Sequence, residues 1–88
     1  MDTRAERLSA IVLRTVAYAE NDLIVHLLVR GRGRIPAFAR AARSSRRRFA
    51  GALEPFQLLE VLLAERSGQE LWMLREAAVV EAYSGLRD

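Results

Sequence analysis

An all-β fold is predicted by two features of the sequence: apolar runs of strand-like length recur along it, and turn-forming residues separate them. Ala10 to Ala19 reads AIVLRTVAYA, a β-branched and aromatic stretch suited to a strand. Glu20-Asn21-Asp22 is a polar turn. Leu23 to Arg30 (LIVHLLVR) is an apolar run, Gly31-Arg32-Gly33 breaks it, and Arg34 to Ala41 (RIPAFARA) resumes. Two short runs about a Gly-rich turn predict a hairpin. Ala42 to Arg48 is a basic connection containing Ser44 and Ser45. Phe49 to Leu53 has room for one helical turn, capped by Ser44 or Ser45, and Glu54-Pro55 ends it. Phe56 to Glu65 (FQLLEVLLAE) holds helix-favouring Leu and Glu, but its length between Pro55 and Gly68 favours a strand. Gln69 to Tyr83 carries a fifth strand, whose Ala-rich end from Glu76 to Glu81 is open to a helical reading.

Five strands with the longest non-strand insertion between the third and fourth predict a five-stranded OB-fold Greek-key barrel, with a short helix or loop between strands 3 and 4. An SH3-like barrel is the alternative. The 88 residues suffice for one domain, and 51% hydrophobic residues supply its core. We expect residues 1–8 to be an N-terminal tail, 9–83 the barrel, and 84–88 the start of a linker to a further region. The chain has no cysteine, which removes disulfides and thiolate metal sites. No apolar run reaches the roughly 18 residues of a membrane helix. The charged N-terminus, with Asp2, Arg4, Glu6 and Arg7, lacks the apolar core of a signal peptide. A cytoplasmic protein without membrane contact is expected.

The charge distribution points to the partner. All 14 basic residues are Arg. Leu23 to Leu53 holds eight of them (Arg30, Arg32, Arg34, Arg40, Arg43, Arg46, Arg47 and Arg48) and no acid, a segment of charge +8. The remainder of the chain is −5. Like charges cannot be buried together, so such a block faces solvent or a polyanion. On a period of two, Leu23, Val25, Leu27 and Val29 share one face of the second strand, and Ile24, His26, Leu28 and Arg30 the other. In the third, Ile35, Ala37, Ala39 and Ala41 oppose Arg34, Pro36, Phe38 and Arg40. OB-folds bind oligonucleotides on the outer face of strands 2 and 3 and at nearby loops. Phe38 between Arg34 and Arg40 is therefore expected to stack on bases, flanked by phosphate contacts. The Arg40 to Phe49 segment should act as a mobile, positive arm. The candidate nucleic-acid-binding residues are Arg30, Arg32, Arg34, Phe38, Arg40, Arg43, Ser44, Arg46, Arg47 and Arg48.

Each candidate has a plainer role open to it. Phe38 can be a packing aromatic, His26 an ordinary strand residue, and Tyr18 and Trp72 core or rim. Gly31-Arg32-Gly33 lacks the pattern of a phosphate loop. Pro36 suits an edge or bulge. Glu60, Glu65, Glu70, Glu76 and Glu81 read as outer polar positions. One His, no Cys and no assembled His–acid pair leave no visible catalytic site, and no cofactor or metal is expected.

Several short pieces also carry a family resemblance when taken together. They are Tyr18-Ala19-Glu20-Asn21-Asp22, the strand Leu23 to Val29, the Gly33-Arg34 turn, Arg40-Ala41-Ala42-Arg43-Ser44-Ser45-Arg46, and Gly51-Ala52-Leu53-Glu54-Pro55-Phe56. In order and spacing they resemble the N-terminal domain of the bacterial recombination mediator RecO. Ala41 stands where that family often has Gly, and Arg where it usually has Lys. The resemblance implies an OB-fold that binds single-stranded DNA, and duplex DNA more weakly, in a nucleoid-associated protein of DNA repair, homologous recombination and strand annealing in the RecF pathway. It implies RecR and single-strand-binding protein as partners, the latter through a region beyond this chain. It also implies a non-enzymatic role. A protein-interaction module and an RNA-binding OB domain are the alternatives.

Overall fold

The computed structural model describes residues 5–49 and 52–80. Strand β1 (Ala5–Tyr18) is long because it pairs twice. Its first half runs antiparallel to β4 (Leu58–Ala64), with Ala5 opposite Ala64 and Ile11 opposite Leu58. Its second half runs antiparallel to β2 (Asp22–Val29), from Ala10 opposite Val29 to Tyr18 opposite Asp22. Strand β2 turns through Gly31 and Gly33, both at positive φ, into β3 (Gly33–Ala39). Strand β5 (Trp72–Val79) pairs antiparallel with β4 and, over Ala37 and Phe38, parallel with β3. The order β1-β2-β3-β5-β4 closes into a barrel, with one helical turn, α1 (Arg46–Phe49), between β3 and β4. This is the predicted OB-fold.

Closure sorts the side chains. Val25, Leu27 and Val29 of β2 point inward and are buried, as are Ile35, Ala37 and Ala39 of β3 and Leu59, Val61 and Leu63 of β4. The sequence assigned these faces of β2 and β3 correctly. Phe49 and Ala52 join the same core from α1 and the segment after it. Among the described residues no polar or charged side chain is buried.

Two irregularities keep that sorting intact. In β1, Val12 faces Leu27 and Arg14 faces His26, so Leu13 is an extra residue. Ala10 and Val12 are buried, so an unbroken alternation would turn Arg14 inward as well. A bulge reverses the phase, because one extra residue swaps the faces. In β5, Glu76 faces Leu62 and Leu74 faces Leu63, which leaves Arg75 as the extra residue. Leu74 and Ala77 are both buried despite odd spacing, and Arg75 and Glu76 are both exposed.

Several expected boundaries move. Ala5 to Leu8, expected within the tail, are strand, because β4 supplies ladder partners and Leu8 packs against the core. The helical turn begins at Arg46, ahead of the expected Phe49 to Leu53; Ala52 and Leu53 are not helical, and residues 50 and 51 of that expectation lie outside the described residues. Phe56 precedes β4 in a turn at φ 66°, donating its N–H to the Val12 carbonyl at 2.8 Å. Strand β5 holds to Val79, which excludes a helix over Glu76 to Val79. Trp72 is half-buried against the core. Glu60, Glu65, Glu70 and Glu76 are exposed. Residues 1–4 of the expected tail, Glu81 to Tyr83 of the expected strand and the linker start at 84–88 lie outside the described residues.

Adjacent leucines test the sorting. Leu27 is fully buried and Leu28 is 42% exposed. Leu27→Ala should cost about 2–5 kcal/mol of stability, and Leu28→Ala less than about 1 kcal/mol. Urea denaturation of the two variants measures the difference.

Candidate nucleic-acid interface

The outer wall of β1, β2 and β3 is built in rows, because residues opposite one another in a ladder share a face. One row holds Val16, Ile24, Phe38 and, across the parallel pairing, Met73 of β5. Phe38 is therefore outside the barrel, as the alternation predicted. It is half-buried because Tyr18 covers part of it: the ring centroids are 5.8 Å apart and the planes perpendicular. This edge-to-face packing is the arrangement favoured by aromatic quadrupoles. Tyr18 itself is 53% exposed. The two rings form one aromatic step at the end of β3 where the basic segment begins.

That segment is held, which corrects the expectation of a mobile arm. Ala41 takes φ 55°, a left-handed conformation that an L side chain occupies only at a cost of about 1–2 kcal/mol. Its N–H donates to Asp22 Oδ1 at 2.7 Å. Arg43 N–H donates to the Asn21 carbonyl at 2.9 Å, and Arg43 Nη1 to the Glu20 carbonyl at 3.3 Å. The polar turn between β1 and β2 thus clamps the start of the basic segment. The left-handed Ala41 also gives a physical reason why glycine suits this position. Downstream, Ser44 Oγ donates to the Ala41 carbonyl at 3.3 Å. Arg48 Nε donates to Ser45 Oγ at 3.1 Å and Nη2 to the Arg40 carbonyl, while the guanidinium lies 4.7 Å from the centre of the Phe49 ring. Every partner of Arg48 in this set is neutral, so its position is fixed and its charge is not cancelled.

The ten predicted residues do not make one site. Phe38, Arg40, Arg43, Ser44 and Arg48 gather at the β3–α1 end. The side chains of Arg46 and Arg47 lie outside the described part of the structure. Arg34 lies farther along β3, in a groove of about 420 Å³ that it lines with Leu13, Arg14, His26 and Pro36. Arg30 and Arg32 belong to the β2–β3 turn at the opposite end, about 20 Å from Arg40 at 3.3 Å per strand residue. Arg32 there is engaged by Glu6 at 2.8 Å, an acid from β1 that is distant in sequence. It therefore stands apart from the β3–α1 cluster, paired across the barrel. Sequence reasoning did not single out Arg14 and Arg75, which line grooves with Arg34 and with Arg40 and Arg48 respectively. Both stand on the outer wall at bulges, which no periodicity in a single strand reveals.

The Asp22 clamp generates a direct test. Asp22→Ala removes the acceptor of the Ala41 N–H and should cost about 1–3 kcal/mol. Amide exchange at Ala41 and Arg43 should accelerate strongly, with the β2 and β4 ladders left protected. Asp22→Asn, which keeps an oxygen acceptor, should lie between the two. Hydrogen exchange resolved by residue measures both.

The chain matches the family model described as Recombination protein O N terminal over residues 1–83. It is 52% identical over 81 residues to the DNA repair protein RecO of Anaeromyxobacter sp. (strain K), an overlap covering 92% of this chain and 32% of that protein. It is 46% identical over 79 residues to DNA repair protein RecO of Desulfosudis oleivorans, covering 89% of this chain and 30% of that protein. The counterpart from Myxococcus xanthus is 44% identical over 79 residues, covering 90% and 32%. The chain therefore spans about one third of the length of the curated relatives it matches. The resemblance read from the sequence pieces is borne out, and the chain belongs to the recombination protein O N-terminal family.

Proposed function

We propose that this domain binds single-stranded DNA without sequence preference, as the nucleic-acid-binding module of a DNA repair protein of the RecO kind. The observation that carries the reading is the Tyr18–Phe38 step on the outer wall, set beside Arg40, Arg43 and Arg48. A base has a π-face to lay on an aromatic ring, and the phosphates on either side meet guanidinium groups. Guanidinium forks match phosphate oxygens bidentately. Among the described residues, none of these three arginines has a carboxylate within ion-pair distance. Duplex DNA offers phosphates but no free base faces, so it should bind more weakly. In the whole protein, a surface that screens two phosphate backbones at once would favour strand annealing and serve recombination on strand coated by single-strand-binding protein.

A second reading has an observation of its own. Ser9, Ile11, Leu28, Arg30 and Leu58 line an apolar groove of about 250 Å³ near the other end of the barrel. With Leu28 42% exposed, this wall suits a protein partner such as RecR. The two surfaces are separate and can act together.

Fluorescence anisotropy with matched single-stranded DNA, RNA and duplex at several salt concentrations tests the first reading. If about four to six phosphates are contacted, log K should fall with log salt at a slope of about −3 to −4. Phe38→Ala should weaken binding by about 1–3 kcal/mol with little change in slope. A flat salt response would remove the polyanion reading, and equal binding of single strand and duplex would remove the stacking role of Phe38.

A further inference from the structure

Arg75 is the extra residue opposite the Leu62–Leu63 step; it stands on the outer wall, and the bulge keeps Glu76 there beside it. Bulges of this kind re-aim side chains and are over-represented next to functional sites. The parallel pairing of Phe38 with Met73 sets β3 and β5 side by side, and two residues beyond that pair stand Arg40 and Arg75. Both arginines line the same cleft beyond the end of that pairing. Arg48 approaches from α1, already held by Ser45 and the Arg40 carbonyl. The three arginines line one cleft of about 510 Å³, with Leu62, Met73, Leu74 and Glu76.

Three guanidinium groups around one cleft repel one another. Glu76 is the single acid of the lining, and its carboxylate reaches Arg7 at 4.0 Å, on the other side of it. A cleft of concentrated positive charge raises the local concentration of anions. Of its apolar lining, Met73 belongs to the outer row that carries Phe38.

We infer that this cleft is a phosphodiester site, and that Arg75 leads a bound single strand from the Tyr18–Phe38 step across β3 onto the β5 wall. The inference rests on the single-strand-binding reading and specifies the strand's path. Glu76 opposes the anion and limits its affinity. Arg75 is mostly solvated in the free domain, so its loss leaves the fold intact.

The test is anisotropy titration of the 88-residue chain with a fluorescein-labelled oligothymidylate of about 12 nucleotides, within the range that one OB-fold occupies. Arg75→Ala should raise Kd about fivefold at low salt, the effect of losing one ordinary net hydrogen bond. The salt slope should become shallower by about 0.7, the loss of one single-strand phosphate contact. Glu76→Gln should tighten binding about twofold, an exposed-charge effect that salt removes. Arg32→Ala removes the same formal charge at the far end, where Glu6 already engages it, and should leave Kd nearly unchanged. Thermal midpoints should match for the parent and Arg75→Ala. If Arg75→Ala binds like the parent while Phe38→Ala is weakened, the strand does not cross β5 and only this inference fails. If Arg75→Ala and Arg32→Ala lose affinity equally, the cleft contributes only net charge and the inference fails again. If the parent chain shows no salt-dependent binding, the single-strand reading itself fails.

Discussion

The double pairing of β1 is the constraint on which the rest of the structure depends. One strand bonds to β4 with its first half and to β2 with its second, and the β3–β5 contact then closes the sheet. A closed barrel has an inside that must be filled and an outside that must be solvated. With the inside filled by Val25, Leu27, Ile35 and Ala37, the alternate residues of the same strands have one place to go. His26, Arg34, Pro36 and Phe38 are on the outer wall for that reason. The aromatic step and its arginines are thus a consequence of closure, and the core sets the interface from behind.

The two bulges serve the same constraint in different strands. Each adds one residue where strict alternation would conflict with burial, and each sits at an arginine: beside Arg14 in β1 and at Arg75 in β5. An unpaired buried charge, the Arg14 guanidinium or the Glu76 carboxylate, would cost far more than a missing ladder bond, so the irregular ladder is the more stable arrangement. Arg14 and Arg75, both outside, line grooves: Arg14 with Arg34 and His26, and Arg75 with Arg40 and Arg48. The devices that protect the core also extend the positive surface beyond the block between Leu23 and Leu53.

This explains which parts were legible in the sequence. The hairpin of β2 and β3 was readable residue by residue, because an unbroken period of two assigns every face. The five-strand order was readable from turn signals, and the outward position of Phe38 followed. The bulges were not, since a bulge is defined by the count across two strands. AIVLRTVAYA reads as one strand whether or not Leu13 is extra. The Glu6–Arg32 pair was hidden for the same reason, as it joins elements 26 residues apart. The one helical turn was placed too late, because its position depends on where Phe49 meets the barrel interior. The clamp on the basic segment was the largest gap: Asp22 had been read only as a turn residue.

That clamp changes how the basic segment must be understood. A run of arginines with no acid among them suggests mutual repulsion and disorder, and composition alone supports that view. The chain avoids it without neutralising the charge. Backbone groups do the holding: the Ala41 and Arg43 N–H groups bond to Asp22 and Asn21, and the Arg40 and Glu20 carbonyls accept guanidinium protons. Of these partners only the Asp22 carboxylate is charged, and it meets a peptide N–H rather than an arginine. Order is therefore achieved while most of the positive potential is retained for an anion. A segment ordered before binding has less conformational entropy left to lose when a ligand arrives. The strained Ala41 is the local cost of the arrangement, and the 2.7 Å bond to Asp22 is the contact that offsets it.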